Sequence, residues 1–286
     1  MFHEEWNEPG GIHMKTFIAS IAAVLLLALP GAARAGTVTV KGSDTMVILG
    51  QRWAEEFMKK NPTTRLQVTG GGSGTGVAAL INGTTDIAMS SRPMKKAEED
   101  KVRGATKAAP TQLSVAKDGV TFYVHESNPV SALTQEQLKA IYLGDITSWK
   151  EVGGPDAPIV VYSRENSSGT YVFVKDNVLE GEDYVSSAQT LPGTAAVVNA
   201  VSKEKNGIGY GGAAYAKGIK ELKVRKGNED ISPSAENIKS GKYPLSRDLY
   251  FYLRTAPAGE VKAFIDFVLS PEGQAIVTKV GYFPVK

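Results

Sequence analysis

The 286-residue chain is 42% hydrophobic and 22% charged, a composition typical of a globular protein and not of a disordered one. Its 32 Lys and Arg residues are interspersed among 30 Asp and Glu residues without a nucleic-acid-binding signature, so we expect no nucleic-acid partner. The absence of cysteine excludes disulfides, thiolate metal sites and a cysteine nucleophile. We expect neither a metal ion nor a cofactor.

Residues 1–35 are predicted to contain a secretory signal peptide. Lys15 is followed by the apolar run 17–29 and then by Ala33-Arg34-Ala35, which match the basic start, short hydrophobic middle and small-residue cleavage site of such signals. The run is shorter than the roughly 20 apolar residues that a membrane-spanning helix needs. We therefore expect export of the protein and cleavage after Ala35.

Residues 1–13 do not fit this signal. They contain three glutamates ahead of the basic residue, whereas a signal peptide begins with positive charge. We expect translation to start at Met14, with residues 1–13 misassigned or left over from an expression vector.

Strand-like and helix-like patterns alternate from residue 36 onward, which predicts an α/β fold. The first pair is clear: 37–40 reads as a buried strand, and Met46, Leu49, Trp53 and Phe57 then recur at helical spacing. Further strands are predicted at 66–68, 86–89, 120–124, 159–162, 208–210 and 249–253, and further helices near 77–82, 134–143, 169–178, 194–203 and 261–268 and from 271 onward.

Four segments share one design, in which a strand ends in a turn of small residues and a helix follows: 42–45, 72–75, 90–92 and 164–170. The first turn of a helix has unpaired backbone N–H groups and the positive end of the helix dipole, so it attracts anions. An arginine adds a fork of N–H groups that matches two oxygens of a tetrahedral oxyanion. Each segment alone is weak evidence for a site. Ser43 and Ser168, for example, are also typical helix N-caps, which need no ligand. Together the four segments predict an anion site.

Four stretches of the sequence carry a resemblance to a known family. They read VKGSDTMVILGQRWAEEF, GGGSGTGVAALINGTTDIAMSSR, SRENSSGTYVFV and VGYFPV. They resemble the periplasmic phosphate-binding proteins of bacterial phosphate-specific ABC transporters, in their shorter form. The resemblance runs over essentially all of residues 36–286, and its most specific parts are the arginine-to-SGT loop and GSGTG just before TTDIA.

This resemblance implies a two-lobed type II periplasmic binding protein fold, with two hinge crossover strands and a ligand cleft between the lobes. From the order of elements we expect lobe one at 36–122 and 212–286, and lobe two at 123–211. The family implies a periplasmic protein, expected to be a monomer without enzymatic activity. It would capture inorganic phosphate and deliver it to the membrane permease of an ABC importer.

The predicted phosphate-binding residues lie in the four segments. They are Ser43, Asp44, Thr45, Ser73, Gly74, Ser91, Arg92, Arg164, Asn166, Ser168, Gly169 and Thr170, with Glu165 beside them. Among them we expect Arg164 to be the dominant cation, because it directly precedes the Ser-Gly-Thr helix start. Arg92 ranks second, since an acid on its own lobe could hold it.

Two positions depart from the family pattern. Long members of the family have carboxylates where this chain has Ser91 and Asn166, and those carboxylates accept the proton of hydrogen phosphate and repel sulfate. Here the acceptor would be Asp44 or Glu165, with the Asn166 amide oxygen as a weaker third candidate. Asp44 is equally explained as an N-cap, and Glu165 as an outward-facing partner of a lysine.

Two other functions stay open at this point. Sulfate, molybdate or tungstate would suit a similar site made of donors only, because these ions carry no proton near neutral pH. A serine hydrolase is less favoured, because G-x-S-x-G is absent around Ser73 and His125 is the only histidine after residue 35. A nucleotide hydrolase is excluded more firmly, because GGGSGTGV lacks the Lys-Ser/Thr pair that contacts phosphate and magnesium.

Overall fold

The computed structural model describes residues 36–285, so the predicted signal peptide and its cleavage site lie outside the described residues. Within that range strands and helices alternate. The strands are β1 (Thr37–Gly42), β2 (Arg65–Thr69), β3 (Ile87–Ser90), β4 (Thr111–Val124), β5 (Ala132–Thr134), β6 (Val160–Arg164), β7 (Gln189–Leu191), β8 (Gly207–Gly212), β9 (Lys220–Lys226), β10 (Glu229–Ile231) and β11 (Ser246–Leu253). The helices are α1 (Val47–Lys60), α2 (Ser73–Asn82), α3 (Lys96–Thr106), α4 (Gln135–Leu143), α5 (Gly169–Asn177), α6 (Gly193–Val201), α7 (Ala235–Lys239), α8 (Gly259–Leu269) and α9 (Pro271–Val280).

The predicted elements are confirmed, and each overlaps a strand or helix of the structure. Local capping explains several boundaries: the Thr134 side chain accepts a hydrogen bond from the backbone N–H of Gln137 and starts α4, and Ser270 with Pro271 starts α9. The charged helix α3, the short helix α7 and the strands β5, β7, β9 and β10 were not predicted. No helix within residues 36–285 is both long and apolar enough to cross a membrane.

The strands form one hydrogen-bonded array in the order β2-β1-β3-β11-β4-β8-β6-β7, and β9 joins it by pairing with β4. Strand β1 pairs in parallel with β2 and β3, and β6 pairs in parallel with β7 and β8. Parallel pairs need crossover connections, which α1 and α2 provide for the first three strands. Between these parallel regions, β4 and β11 run antiparallel to each other.

Two large hydrophobic clusters lie at the two ends of β4. The first is built around Trp53 and Phe251, whose ring centroids are 5.8 Å apart, and the second around Trp149 and Phe122. Strand β4 contributes to both clusters, and β11 belongs to the first cluster although Leu245, the residue just before it, packs in the second. Strands β4 and β11 are therefore the two long connections between the clusters.

Buried side chains between Leu222 and Leu245 belong to the second hydrophobic cluster. Residues 212–286 were assigned to lobe one, but side chains from Leu222 to Leu245 pack in the second cluster. The reason is strand pairing: Leu222 of β9 lies opposite Phe122 of β4, which extends the sheet beside the second cluster. No local pattern in the sequence reveals this pairing between distant residues.

The glycine-rich stretch that begins α2 is closely packed and is not a flexible linker. Gly72 has a φ of 91°, which favours glycine. A Cβ atom built on Gly76 would lie 2.5 Å from the carbonyl oxygen of Lys41 and 2.6 Å from Cα of Gly42. Glycine thus lets the first turn of α2 contact the main chain of β1 directly.

We expect Gly76→Ala to lower the free energy of unfolding by about 1–3 kcal/mol, because the added methyl group overlaps the backbone of β1. Gly104→Ala is the matched control: nothing lies within 4 Å of a Cβ at Gly104 in α3, and alanine favours a helix by roughly 1 kcal/mol over glycine. Urea unfolding curves of both variants and of the unmodified protein give the free energies of unfolding to be compared. An unchanged midpoint for Gly76→Ala would contradict the close packing.

Candidate functional site

The four segments predicted from the sequence meet where the two clusters adjoin. The hydroxyl oxygens of Thr45 and Thr170 are 3.0 Å apart, although 125 positions separate these residues in the chain. The backbone N–H of Gly74 donates to the carbonyl oxygen of Ser167 at 2.9 Å. The third segment joins them through Ser91, whose backbone N–H donates to the Ser73 hydroxyl at 3.0 Å. The structure thus brings all four segments into contact.

The first turn of α5 lies against the hydroxyl groups of two other segments. A Cβ atom on Gly169 would be 2.3 Å from the Ser73 hydroxyl oxygen and 2.6 Å from that of Ser91, so only glycine allows this approach. Ser168 caps the helix by accepting a hydrogen bond from the backbone N–H of Tyr171 at 3.2 Å. Hydroxyl groups therefore surround a helix N-terminus, a position that favours anions.

Arg164 is buried at this junction, with only 1% of its side chain exposed. Its Nη2 donates to Asp44 Oδ2 at 2.7 Å, its Nη1 to the Thr194 hydroxyl at 3.0 Å, and its Nε to Glu165 Oε2 at 3.1 Å. A guanidinium group has five N–H groups, so these three bonds leave two further donors on Nη1 and Nη2. The sequence analysis identified Arg164 as a site residue but missed Thr194, which lies in the first turn of another helix, α6.

The Asp44 carboxylate bridges two segments. One oxygen accepts the Arg164 hydrogen bond, and the other accepts the backbone N–H of Gly71 at 2.8 Å. The carbonyl oxygen of Asp44 also accepts a hydrogen bond from the Tyr215 hydroxyl at 2.7 Å. Asp44 therefore faces the junction and is not an N-cap. Glu165, the other candidate acceptor, is half-exposed and contacts Arg164, not a lysine.

Three predicted site residues lack contacts with the hydroxyl groups at the N-terminus of α5 among the described hydrogen bonds. The Arg92 guanidinium makes two hydrogen bonds, at 2.8 and 2.7 Å, to Glu98, which follows it in the same part of the chain. Asn166 is exposed. Ser43 is buried, and its backbone N–H donates to the carbonyl oxygen of Met89 in β3 at 2.9 Å. Arg92 is thus paired with an acid on its own side, as the sequence analysis allowed.

A second buried arginine at the junction, Arg247 in β11, was not predicted. Its Nη2 donates to the hydroxyls of Thr170 at 3.0 Å and Thr45 at 3.4 Å, and its Nε and Nη2 donate to Asp118 Oδ2 at 3.1 and 2.8 Å. Its Nη1 is buried without a hydrogen-bond partner within residues 36–285. A signal existed in the sequence, since Arg247 lies in phase with the buried Leu249 and Phe251 of the same strand.

Asp118, the partner of Arg247, is fully buried in β4. Burial raises the pKa of this carboxyl group, and the charge and N–H groups of Arg247 oppose that shift. The junction therefore contains two guanidinium groups, Arg164 and Arg247, each paired with a carboxylate from the first cluster's side of the chain.

The residues that a serine hydrolase would need do not come together here. The Ser168 hydroxyl accepts the α5 capping bond. His125 Nδ1 is 2.8 Å from the hydroxyl of Ser127 in its own turn. Within residues 36–285 no group of three His, Asp or Glu side chains could hold a metal ion.

Comparison with known proteins identifies the family. Residues 28–272 match a family model described as a PBP superfamily domain. The phosphate-binding protein PstS of Pseudomonas aeruginosa is 33% identical over 290 residues, covering 93% of this chain and 90% of its own. This chain belongs to the PstS family. A second relative, PstS of Staphylococcus epidermidis, is 33% identical over 251 residues, covering 84% of this chain and 76% of its own.

Solved structures agree with this membership. A substrate-binding protein ascribed to a phosphate ABC transporter of Clostridium perfringens, with bound phosphate, matches with a TM-score of 0.81 and 33% identity, over 88% of this chain and all of its own. An ABC-type phosphate transport receptor from Vibrio cholerae has a TM-score of 0.70 and 30% identity, over 86% of this chain and 99% of its own. The predicted family and the type II periplasmic binding protein fold are confirmed.

Proposed function

We propose that this protein captures inorganic phosphate in the periplasm and delivers it to the membrane permease of a phosphate ABC importer. The observation that carries the proposal is that four buried hydroxyl groups meet at the N-terminus of α5, beside the Asp44 segment that holds buried Arg164, in a chain of the PstS family. The hydroxyls belong to Thr45, Ser73, Ser91 and Thr170. In this proposal residues 1–35 direct export, and the mature protein acts as a monomer.

The chemistry of the junction fits a tetrahedral oxyanion. Hydroxyl groups and helix N-terminal N–H groups donate hydrogen bonds, and a guanidinium group supplies charge in a site removed from water. Binding is favoured over hydrolysis, because the Ser168 hydroxyl caps α5 and His125 pairs within its own turn.

The two hydrophobic clusters support a revised division into lobes. The change from one cluster to the other occurs between Ala116 and Val120 in β4 and between Leu245 and Leu249 at β11. We therefore place lobe one at about 36–119 and 246–285, and lobe two at about 120–245. Two neighbouring strands can bend with little cost to either cluster, so the lobes would close on a ligand by a hinge motion.

Asp44 is our choice for the group that distinguishes phosphate from sulfate. Its carboxylate lies beside Arg164 at the junction, whereas Asn166 is exposed and Ser91 offers a hydroxyl group. A carboxylate can accept the proton of hydrogen phosphate, but it would face an unprotonated oxygen of sulfate without a hydrogen bond. This arrangement favours phosphate over sulfate, molybdate and tungstate.

Calorimetry of the mature chain, residues 36–286, tests the proposal. The protein is first stripped of ligand by unfolding, dialysis and refolding, and is then titrated separately with phosphate, sulfate and molybdate. We expect one phosphate per chain and weaker binding of the other two ions. Tighter binding of sulfate or molybdate than of phosphate would support the alternative, a binding protein for another oxyanion. No binding of any of the three ions would contradict an oxyanion site.

Replacing Arg164 tests the dominant cation. We expect Arg164→Gln to weaken phosphate binding at least about 30-fold, or about 2 kcal/mol, because a buried charged partner of the anion is lost. Arg92→Gln is the matched control, since both arginines are buried and paired with acids, but both terminal nitrogens of Arg92 are directed to Glu98. Calorimetry measures both affinities. If Arg92 were the main ligand, Arg92→Gln would weaken phosphate binding more than Arg164→Gln.

Replacing Asp44 tests selectivity. We expect Asp44→Asn to weaken phosphate binding and to narrow the free-energy gap between phosphate and sulfate by about 1–3 kcal/mol, the cost of an unpaired buried group. Glu165→Gln serves as the comparison, because Glu165 contacts the same arginine from a half-exposed position. An intact preference for phosphate in Asp44→Asn, with a lost preference in Glu165→Gln, would assign the role to Glu165.

A further inference from the structure

Arg247 has no part in the function as argued so far. We propose that Arg247 is a positioning residue of the phosphate site: from the hinge it holds the hydroxyl groups of Thr45 and Thr170 together and leaves one of their protons to donate to the anion. The inference rests on the phosphate-binding function proposed above.

The placement of Arg247 in the fold is the first support. Arg247 lies between Leu245, which packs in the second cluster, and Leu249, which packs in the first. Its register partner on the neighbouring strand is Asp118. Just beyond Asp118, strand β4 exchanges its partner β11 for β8, beginning with Val120. The Arg247–Asp118 pair is thus anchored at the hinge, at the edge of lobe one where the two lobes meet.

The contacts of Nη2 are the second support. One N–H of this nitrogen bonds Asp118, and the other is shared between the hydroxyl of Thr170, in the first turn of α5, at 3.0 Å and that of Thr45, which follows β1, at 3.4 Å. The two hydroxyl groups come from different lobes and are 3.0 Å apart. A single nitrogen can bond both only while the lobes are together, so these bonds stabilise the closed arrangement.

In the contacts between Arg247 and the two threonines, the guanidinium group is the donor and the hydroxyl oxygens are the acceptors. A threonine hydroxyl has one proton and two lone pairs, whereas a guanidinium group only donates. When Thr45 and Thr170 accept hydrogen bonds from Arg247, each uses a lone pair on that side, and its own proton is directed elsewhere. The two hydroxyl groups are also hydrogen-bonded to each other, so one of their protons lies between them and the other is available to donate to an anion.

The charge of Arg247 is compensated on one edge only. Asp118 pairs with Nε and Nη2, and the Phe173 ring lies beneath the guanidinium carbon, 5.3 Å from it to the ring centroid. Nη1 is buried and unpaired within the described residues, an arrangement that costs free energy. A buried anion beside the two hydroxyls would supply a second opposite charge at short range.

The experiment is a double-mutant cycle in phosphate affinity between Arg247→Gln and Thr170→Val. Arg247→Gln is always combined with Asp118→Asn, so that neither charge is left buried without its partner. Asp248→Asn is the matched control, since Asp248 is the next residue of β11 and pairs with Lys117 of β4 at 2.7 Å in a more exposed position. Melting temperatures of the ligand-free proteins report folding.

We expect Arg247→Gln/Asp118→Asn and Thr170→Val each to weaken phosphate binding at least about tenfold relative to the unmodified protein. Because both substitutions remove the same contact, the phosphate affinity of the combined variant should be within about threefold of that of the less tightly binding of the two. Asp248→Asn should bind within about twofold of the unmodified protein. A purely structural role for Arg247 would lower the melting temperature without this coupling.

Failure of the inference and failure of the proposed function give different results. If the unmodified protein binds no phosphate, the function itself is contradicted. If it binds phosphate but Arg247→Gln/Asp118→Asn binds it within about threefold of the unmodified protein, or if this change and Thr170→Val are additive, the positioning role of Arg247 is overturned while the function stands.

Discussion

Two guanidinium groups are buried where the hydrophobic clusters of this protein adjoin, and the rest of the site depends on how their charge is compensated. Removing an ion from water costs several kcal/mol unless an opposite charge and hydrogen bonds replace its hydration. Arg164 is paired with Asp44 and Arg247 with Asp118, over 120 and 129 positions of the chain. Because each pair joins distant parts of the sequence, the site forms only when both clusters and the strands between them are folded.

These pairings also set the chemical character of the site. Carboxylates that neutralise the arginines place acceptors among a majority of donors: hydroxyl groups from three segments and the first turn of α5. A fully ionised oxyanion would use the donors and face the acceptors without a hydrogen bond, whereas a singly protonated one can use both. The requirement to bury charge and the preference for phosphate proposed above would thus have the same origin.

Close backbone approach is the second constraint. Side chains larger than hydrogen are excluded at Gly76, which lies on the main chain of β1, and at Gly169, which lies on the hydroxyls of Ser73 and Ser91. These glycines let helix N-termini reach the junction of the clusters. The stretch that looks like a flexible linker in the sequence consequently contacts the backbone of β1 through Gly76 and that of Ser167 through Gly72.

The sequence by itself determined the parts of the protein that depend on neighbouring residues. Hydrophobic periodicity and capping residues located the main strands and helices, and the small-residue turns with Arg164 marked the four segments of the site. Tertiary structure alone decided which distant groups meet. It paired Arg92 with Glu98, brought Thr194 to Arg164, and placed residues 222–245 with the second cluster through the pairing of β9 with β4. It also brought Arg247 to hydroxyl groups 202 and 77 positions away, because contacts across a folded sheet follow from strand order and register, which local sequence patterns do not encode.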